Sequence, residues 1–245
     1  MAIIKFITFA TNGTNYIEAA NRLITQAHSL DLFNQIYLYT IDDLIADNNF
    51  WQLHSEFILN NNRGYGYWLW KPFIIKKTFD SLSDGDILLY LDAGCEIDTN
   101  EKQYLIDLID RLNINNNNEL IIGTIGCGFV KNWCKMDLII RLNTHSYLDT
   151  YQHQAGANLY IVNQTTRQFI NEWYNICCDY HMIDDSVSIN TELDSFIEHR
   201  HDQSVFSLLS KKYNIFKTGL DHKCIKYIRN RTGFSKLNNL EKCKI

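Results

Sequence analysis

The segment Ile87-Leu88-Leu89-Tyr90-Leu91 most constrains what this chain can fold into: five apolar residues in a row, ending abruptly on Asp92. A strand apolar on both faces must be covered on both, which is the situation of a central strand in a parallel sheet. Such sheets present ligands beyond the carboxyl ends of their strands. A carboxylate placed there is costly unless something pairs with it. Asp92 therefore reads as a site residue, and a hard divalent cation bridging two phosphates would be a compatible partner. Glu96 is near enough in sequence to assist.

Runs of strand length alternate with helix-period segments along the chain. Ile3 to Phe9 reads as a first strand, and Tyr16 to Leu30 as a helix with Ile17, Ala20, Leu23, Ile24 and Ala27 on one face. Ile36 to Tyr39 is the next strand, and Asp42 to Leu59 is mostly helical. Pro72, the only proline, suits the first turn of a helix that Phe73, Ile75, Phe79 and Leu82 continue. Tyr104 to Leu112, Thr166 to Cys177 and Asp202 to Lys211 read as helices. Leu120 to Gly123 and Leu159 to Val162 read as strands, and the run Asn115 to Asn118 as a solvated loop. The βαβα order, without linker or repeat, predicts one α/β domain over residues 1–245 with a mostly parallel central sheet flanked by helices.

Composition narrows the class. A net charge of −5 argues against a nucleic-acid partner. No apolar run approaches the ~20 residues that cross a bilayer, and the first residues lack the marks of a signal peptide. Seven cysteines without CxxC spacing point to reduced thiols rather than zinc or disulfides. A soluble cytoplasmic enzyme is expected. The abundance of asparagine suggests an AT-rich genome, viral or parasitic, in which case the cytoplasm of a viral protein is its host's.

Five further segments carry candidate chemistry. Ala10-Thr11-Asn12-Gly13-Thr14-Asn15-Tyr16 is a polar turn whose amides can hold a nucleotide, with Tyr16 able to stack on a base; an ordinary strand-to-helix turn is the alternative. Arg63 to Pro72 mixes two glycines with large aromatics and predicts a shaped loop. There Trp68 and Trp70 could face sugar rings and Arg63 and Lys71 neutralise a diphosphate, or the aromatics could plug one end of the core. Gln152 to Asn158 is read as a loop preceding a strand, where Gly156 lets backbone approach a ligand and the amides around Gln154 grip sugar hydroxyls. Glu198 to Ser204 crowds polar groups before a helix: Asp202 is either its N-cap or, beside His199 and His201, a base or charge stabiliser. Gly219 to Lys223 opens a basic tail with Lys226, Arg229 and Arg231, in which His222 could ligate a metal.

Taken in order, these pieces resemble the GT-A glycosyltransferases, especially the glycogenin-like and lipopolysaccharide-galactosyltransferase-like group and related bacterial and giant-virus enzymes. The resemblance implies a Rossmann-like GT-A fold, a UDP- or GDP-sugar donor, and a carbohydrate or other hydroxyl acceptor. Thr8-Phe9-Ala10-Thr11 with Tyr16 looks like that group's nucleotide-binding start, and Lys71 sits like its donor-contacting lysine. Tyr90-Leu91-Asp92-Ala93-Gly94 resembles its Leu-Asp-Ala-Asp metal motif. Gln154-Ala155-Gly156-Ala157-Asn158-Leu159 resembles its acceptor-side glycine loop, and His201-Asp202-Gln203-Ser204 the segment facing the anomeric carbon. Catalytic roles for Asp202 and Gln203, Mn2+ or Mg2+ held by Asp92 and His222, and a donor contact from Lys223 in a tail over 221–245 that closes the donor site are what this implies. Gly94 departs from the pattern, standing where the second metal-binding aspartate belongs. Two other readings are a sugar nucleotidyltransferase, which needs a glycine-rich basic loop that Thr11 to Asn15 does not provide, and a binding module that lost its metal at Gly94.

Overall fold

The computed structural model describes residues 2–13, 15–114, 119–220 and 223–237. The asparagine run at 115–118, Asp221 and His222 lie outside the described residues. In chain order the elements are β1 (Ile4–Phe9), α1 (Asn15–Ser29), β2 (Gln35–Tyr39), α2 (Ile41–Ala46), α3 (Asn48–Asn60), the short turn α4 (Gly64–Tyr67), α5 (Trp70–Asp80), β3 (Ile87–Leu91) and β4 (Glu96–Ile97). There follow α6 (Lys102–Ile114), β5 (Ile121–Phe129), α7 (Val130–Trp133), α8 (Met136–Leu142), β6 (Tyr151–Ile161), α9 (Gln164–Cys177), α10 (Asp202–Tyr213), β7 (Phe216–Thr218) and β8 (Ile225–Lys226).

The main sheet has six strands in the order β2-β1-β3-β6-β5-β7. β1 pairs in parallel with β2 and β3, and β5 with β7, while β6 runs antiparallel to both of its neighbours. All five residues of β3 are buried, as an apolar central strand requires. Alternate residues feed two layers. Ile7, Phe9, Leu88 and Tyr90 join the core under α5, α9 and α10. Phe6, Ile87, Leu89 and Leu91 join the core under α1 and α6. The result is a sheet sandwiched between helices, a three-layer α/β arrangement.

Three expectations are corrected. Gln152 to Asn158 is not a loop before a strand but the first part of β6, where Ala157 pairs with Leu91 and Asn158 with Tyr90. Its glutamines, histidine and glycine interrupt the apolar pattern because they meet polar partners on other elements: Gln152 bonds Ser204 and Gln203, His153 bonds Ser207 and Ser210, and the Gly156 carbonyl accepts from Asp92 N–H. The N-cap of α10 is His201, held at φ 57, and Asp202 is the first helical residue. Glu96 faces away from Asp92: its carboxylate accepts hydrogen bonds from Gln26 (3.1 Å), Asn230 (2.6 Å), Ser235 and the backbone N–H of Lys236 (2.9 Å). It anchors the C-terminal segment and is spent on that.

Cys95, Cys134, Cys177, Cys178 and Cys224 are free thiols. Among the described residues no helix is long and apolar enough to cross a membrane.

Candidate active site

β3 delivers Asp92 at its carboxyl end, and β6 beside it determines how the carboxylate lies. The Asp92 N–H donates to the Gly156 carbonyl at 2.7 Å, and its own carbonyl accepts from Cys95 N–H at 2.9 Å. At Gly156 a Cβ would stand 2.4 Å from Asp92 Oδ2 and 2.7 Å from the Tyr227 hydroxyl. Only a residue without a side chain leaves room for both groups. The Tyr90 hydroxyl donates to Asp92 Oδ1 at 2.6 Å, and Tyr227 approaches Oδ2 at 3.4 Å.

From the opposite layer α5 brings Lys71, whose Nζ lies 3.3 Å from Asp92 Oδ1 and 3.3 Å from Asp202 Oδ2. Pro72 follows it in the first turn, where the missing N–H costs nothing. The Lys71 side chain is 5% exposed and that of Asp202 4%, against 28% for Asp92. One ammonium thus joins a buried carboxylate to one that opens on the crevice. Burial acts to push Lys71 down, but Asp202 and Asp92 together hold it above its ordinary value. Burial pushes the Asp202 carboxyl up to about 7, with Lys71 opposing and Asp92 reinforcing the shift. Apart from the Lys71 ammonium, Asp202 Oδ2 has no polar partner among the described residues. A carboxylate that titrates near neutrality beside a fixed cation is equipped to accept a proton or to meet developing positive charge.

Asp202 is held by its backbone: its carbonyl accepts from the Trp173 indole N–H at 3.0 Å, and His201 before it is buried with Nδ1 against the Ile183 carbonyl at 2.7 Å. His201 in the left-handed half of backbone space is a strained cap, a type of feature that concentrates at functional sites. Its Nε2 lacks a hydrogen-bond partner and sits 3.8 Å from Asp185 Oδ1.

The remaining expected residues divide. Ala10 and Ala93 pack together with Ala19 and Ala20, bringing the β1 turn against the β3 turn. Thr11 follows Ala10 on that turn. The Arg231 guanidinium lies over the Tyr16 ring, 5.3 Å from its centroid. Arg22 binds this corner to the C-terminal segment, donating to the carbonyls of Ala93 (3.1 Å), Cys95 (2.7 Å), Asn230 (3.3 Å) and Thr232 (2.5 Å). Gln154 Oε1 accepts from Thr124 at 2.8 Å, and Gln203 Nε2 donates to Gln152 at 2.9 Å. Trp70 is no sugar platform: it is buried, stacked on Phe9 at 3.8 Å, with its indole N–H on the Gly64 carbonyl. Trp68 stacks on His201 at 5.3 Å, and Gly64 packs so closely on its indole that a Cβ there would lie 2.3 Å away. The loop is shaped as expected, with Gly64, Tyr65, Gly66, Tyr67 and Trp68 all at positive φ, but its aromatics serve to close the core and seat His201. Lys223 is exposed, its ammonium over Tyr104 rather than beside Asp92 in any described contact.

Tyr90, Tyr227 and Trp173 were not legible as site residues. Tyr90 reads as core, and Tyr227 reaches Asp92 from 135 positions away.

Among the described residues the groups around Asp92 do not make up a divalent-metal site; His222, the second expected ligand, lies outside them. Both Asp92 oxygens already have partners, and at Gly94 a Cβ would lie 3.2 Å from the Arg229 Cα, so a side chain in place of the usual second carboxylate would press on the C-terminal segment. Among the described residues no three His, Cys, Asp or Glu side chains gather to hold an ion.

No protein-family model and no curated protein sequence matches the chain. Solved structures do. The apo bifunctional glycosyltransferase WbbM superposes with a TM-score of 0.50 at 13% identity, over 89% of this chain and 39% of that one. The chain has the GT-A glycosyltransferase fold. It corresponds to well under half the length of WbbM. Mouse xyloside xylosyltransferase 1 gives 0.47 at 10% identity, over 89% and 85% of the two chains. The galactosyltransferase LgtC, bound to donor and acceptor sugar analogues, gives 0.45 at 12% identity, over 88% and 73%.

Proposed function

We propose that this GT-A chain is a glycosyltransferase, moving a sugar from a nucleoside diphosphate to a hydroxyl acceptor. The observation that carries the reading is the Asp92–Lys71–Asp202 array, one ammonium 3.3 Å from each carboxylate at the carboxyl end of the central strand. In α/β sheets that end is where ligands lie.

The roles follow from burial and charge. The nucleotide lies along the turn after β1, over Ala10, Thr11 and Tyr16, with Ala93 and Gly94 supplying backbone beneath it. Asp92, half open to the crevice, orients the donor. Lys71 fixes both carboxylates and offsets charge on the departing diphosphate, the electrostatic part of catalysis. Asp202, near-neutral in its affinity for protons, either takes the acceptor's proton or meets the positive charge on the sugar. His201 and Gln203 flank it on the acceptor side. Mn2+ or Mg2+ has no step in this scheme. The donor is a UDP- or GDP-sugar, and the acceptor a carbohydrate or other alcohol.

A panel of UDP- and GDP-sugars scored for released nucleotide tests this. Wild-type protein should turn over at least one donor, and Asp202→Asn should lose most of that turnover. Full activity in Asp202→Asn removes the residue from the chemistry.

A further inference from the structure

Resting on the donor-site reading above, we infer that this chain binds its nucleoside diphosphate without a divalent cation, because the Lys71 ammonium already stands where a metal would serve Asp92. Three observations converge on this. Asp92 Oδ1 has Lys71 at 3.3 Å and the Tyr90 hydroxyl at 2.6 Å, and Oδ2 has the Tyr227 hydroxyl at 3.4 Å. The position two residues on is Gly94, which carries no carboxylate and is crowded: a Cβ would meet Arg229 Cα at 3.2 Å, and the Gly94 carbonyl is tied to Asn230 N–H at 2.8 Å. The next acid, Glu96, is turned toward α1 and the C-terminal segment with both oxygens engaged.

The same backbone contact that crowds position 94 brings in a base. Arg229 is exposed, and its positive charge bears on the Tyr227 hydroxyl that touches Asp92. Arg22 and Glu96 anchor the segment that carries it. Fixed cations on a braced scaffold can meet a diphosphate without being recruited from solution, and guanidinium geometry suits phosphate oxygens. Lys71 and Arg229 are assigned that task here.

The test is calorimetric titration of the whole protein with UDP, GDP and ADP, in EDTA and again in excess Mn2+. The dissociation constant of the best nucleotide should agree within about threefold between the two conditions. Tightening by tenfold or more in Mn2+ overturns the inference alone and leaves the donor-site reading intact. Absence of binding in both conditions overturns both. Electron paramagnetic resonance gives a second readout: the free Mn2+ signal should persist in the presence of protein and nucleotide, and its loss contradicts the proposal. Lys71→Met should weaken binding in EDTA by at least tenfold, with Mn2+ recovering part of it as Asp92 is freed. Arg229→Gln, a surface change that spares the buried array, should weaken binding in EDTA several-fold. Unchanged binding in a folded Lys71→Met protein, or in Arg229→Gln, contradicts the assignment.

Discussion

Gly156 and Asp92 share one space: a Cβ on the first would lie 2.4 Å from Oδ2 of the second. Gly156→Ala should therefore displace the carboxylate while leaving the strand, since β6 tolerates alanine on either side at Ala155 and Ala157. Misplacing a reacting group by about 1 Å can cost about 100-fold, and kcat should fall by that order. Circular dichroism and thermal melting should stay close to wild type. Normal turnover in the variant would show that Asp92 has freedom its contacts do not suggest.

Lys71→Met leaves two carboxylates facing one another without their cation. Removing one partner of a buried ion pair typically costs about 3–5 kcal/mol. Urea unfolding at pH 8 should show a loss of that order. At pH 5 the loss should shrink, because Asp202 is then protonated and the repulsion gone. A loss that does not depend on pH would mean that Lys71 contributes by packing alone.

Asp202 also sets a pH dependence of its own. Its folded value of about 7 lies above the ordinary 3.8, so the folded state holds this proton more tightly than the unfolded chain. The contribution to stability is complete below about pH 4 and is lost as pH rises to about 7. His199 and His201, lowered by burial to about 3 and about 4, pull the opposite way, losing stability as pH falls below their ordinary value. The wild-type curve is a sum, so the comparison with Asp202→Asn isolates the carboxyl. Their difference should slope between pH 4 and 7 and be flat above. Activity should rise through pH 7 as Asp202 ionises, and a profile flat across that range would exclude it as the base.

Arg22 joins the Asp92 turn to the C-terminal segment through four carbonyls. Hydrogen bonds from a charged donor contribute roughly 1.5–3 kcal/mol each. Arg22→Ala should raise amide hydrogen exchange over residues 229–235 and on the Ala93–Cys95 turn while β1 and β3 stay protected. Unchanged exchange there would mean that Glu96 alone anchors the segment.

Much of this was readable in the chain. Ile87 to Leu91 announced a covered central strand, and the cost of a carboxylate at its end singled out Asp92. Lys71 and Asp202 were legible as charges beside apolar helices, though not as partners of one another, because they lie 131 positions apart and only the fold brings them together. The strand from Tyr151 was lost where its side chains serve other elements: Gln152 and Gln154 bond Ser204 and Thr124, and Gly156 makes room for Asp92, so none follows the alternation that marks a core strand. The tryptophans misled for the converse reason, since an aromatic suited to a sugar is equally suited to a core, and Phe9 and His201 had already taken Trp70 and Trp68.

The most direct test of sugar transfer is proton NMR of nucleotide sugars incubated with the protein, following the donor's anomeric signal. At least one UDP- or GDP-sugar should lose that signal as nucleoside diphosphate appears in equal amount, with a new anomeric resonance in free sugar or acceptor, and Asp202→Asn should leave the donor intact. A protein that binds these nucleotides but consumes no donor, with or without Mn2+, would be a binding module on a transferase fold.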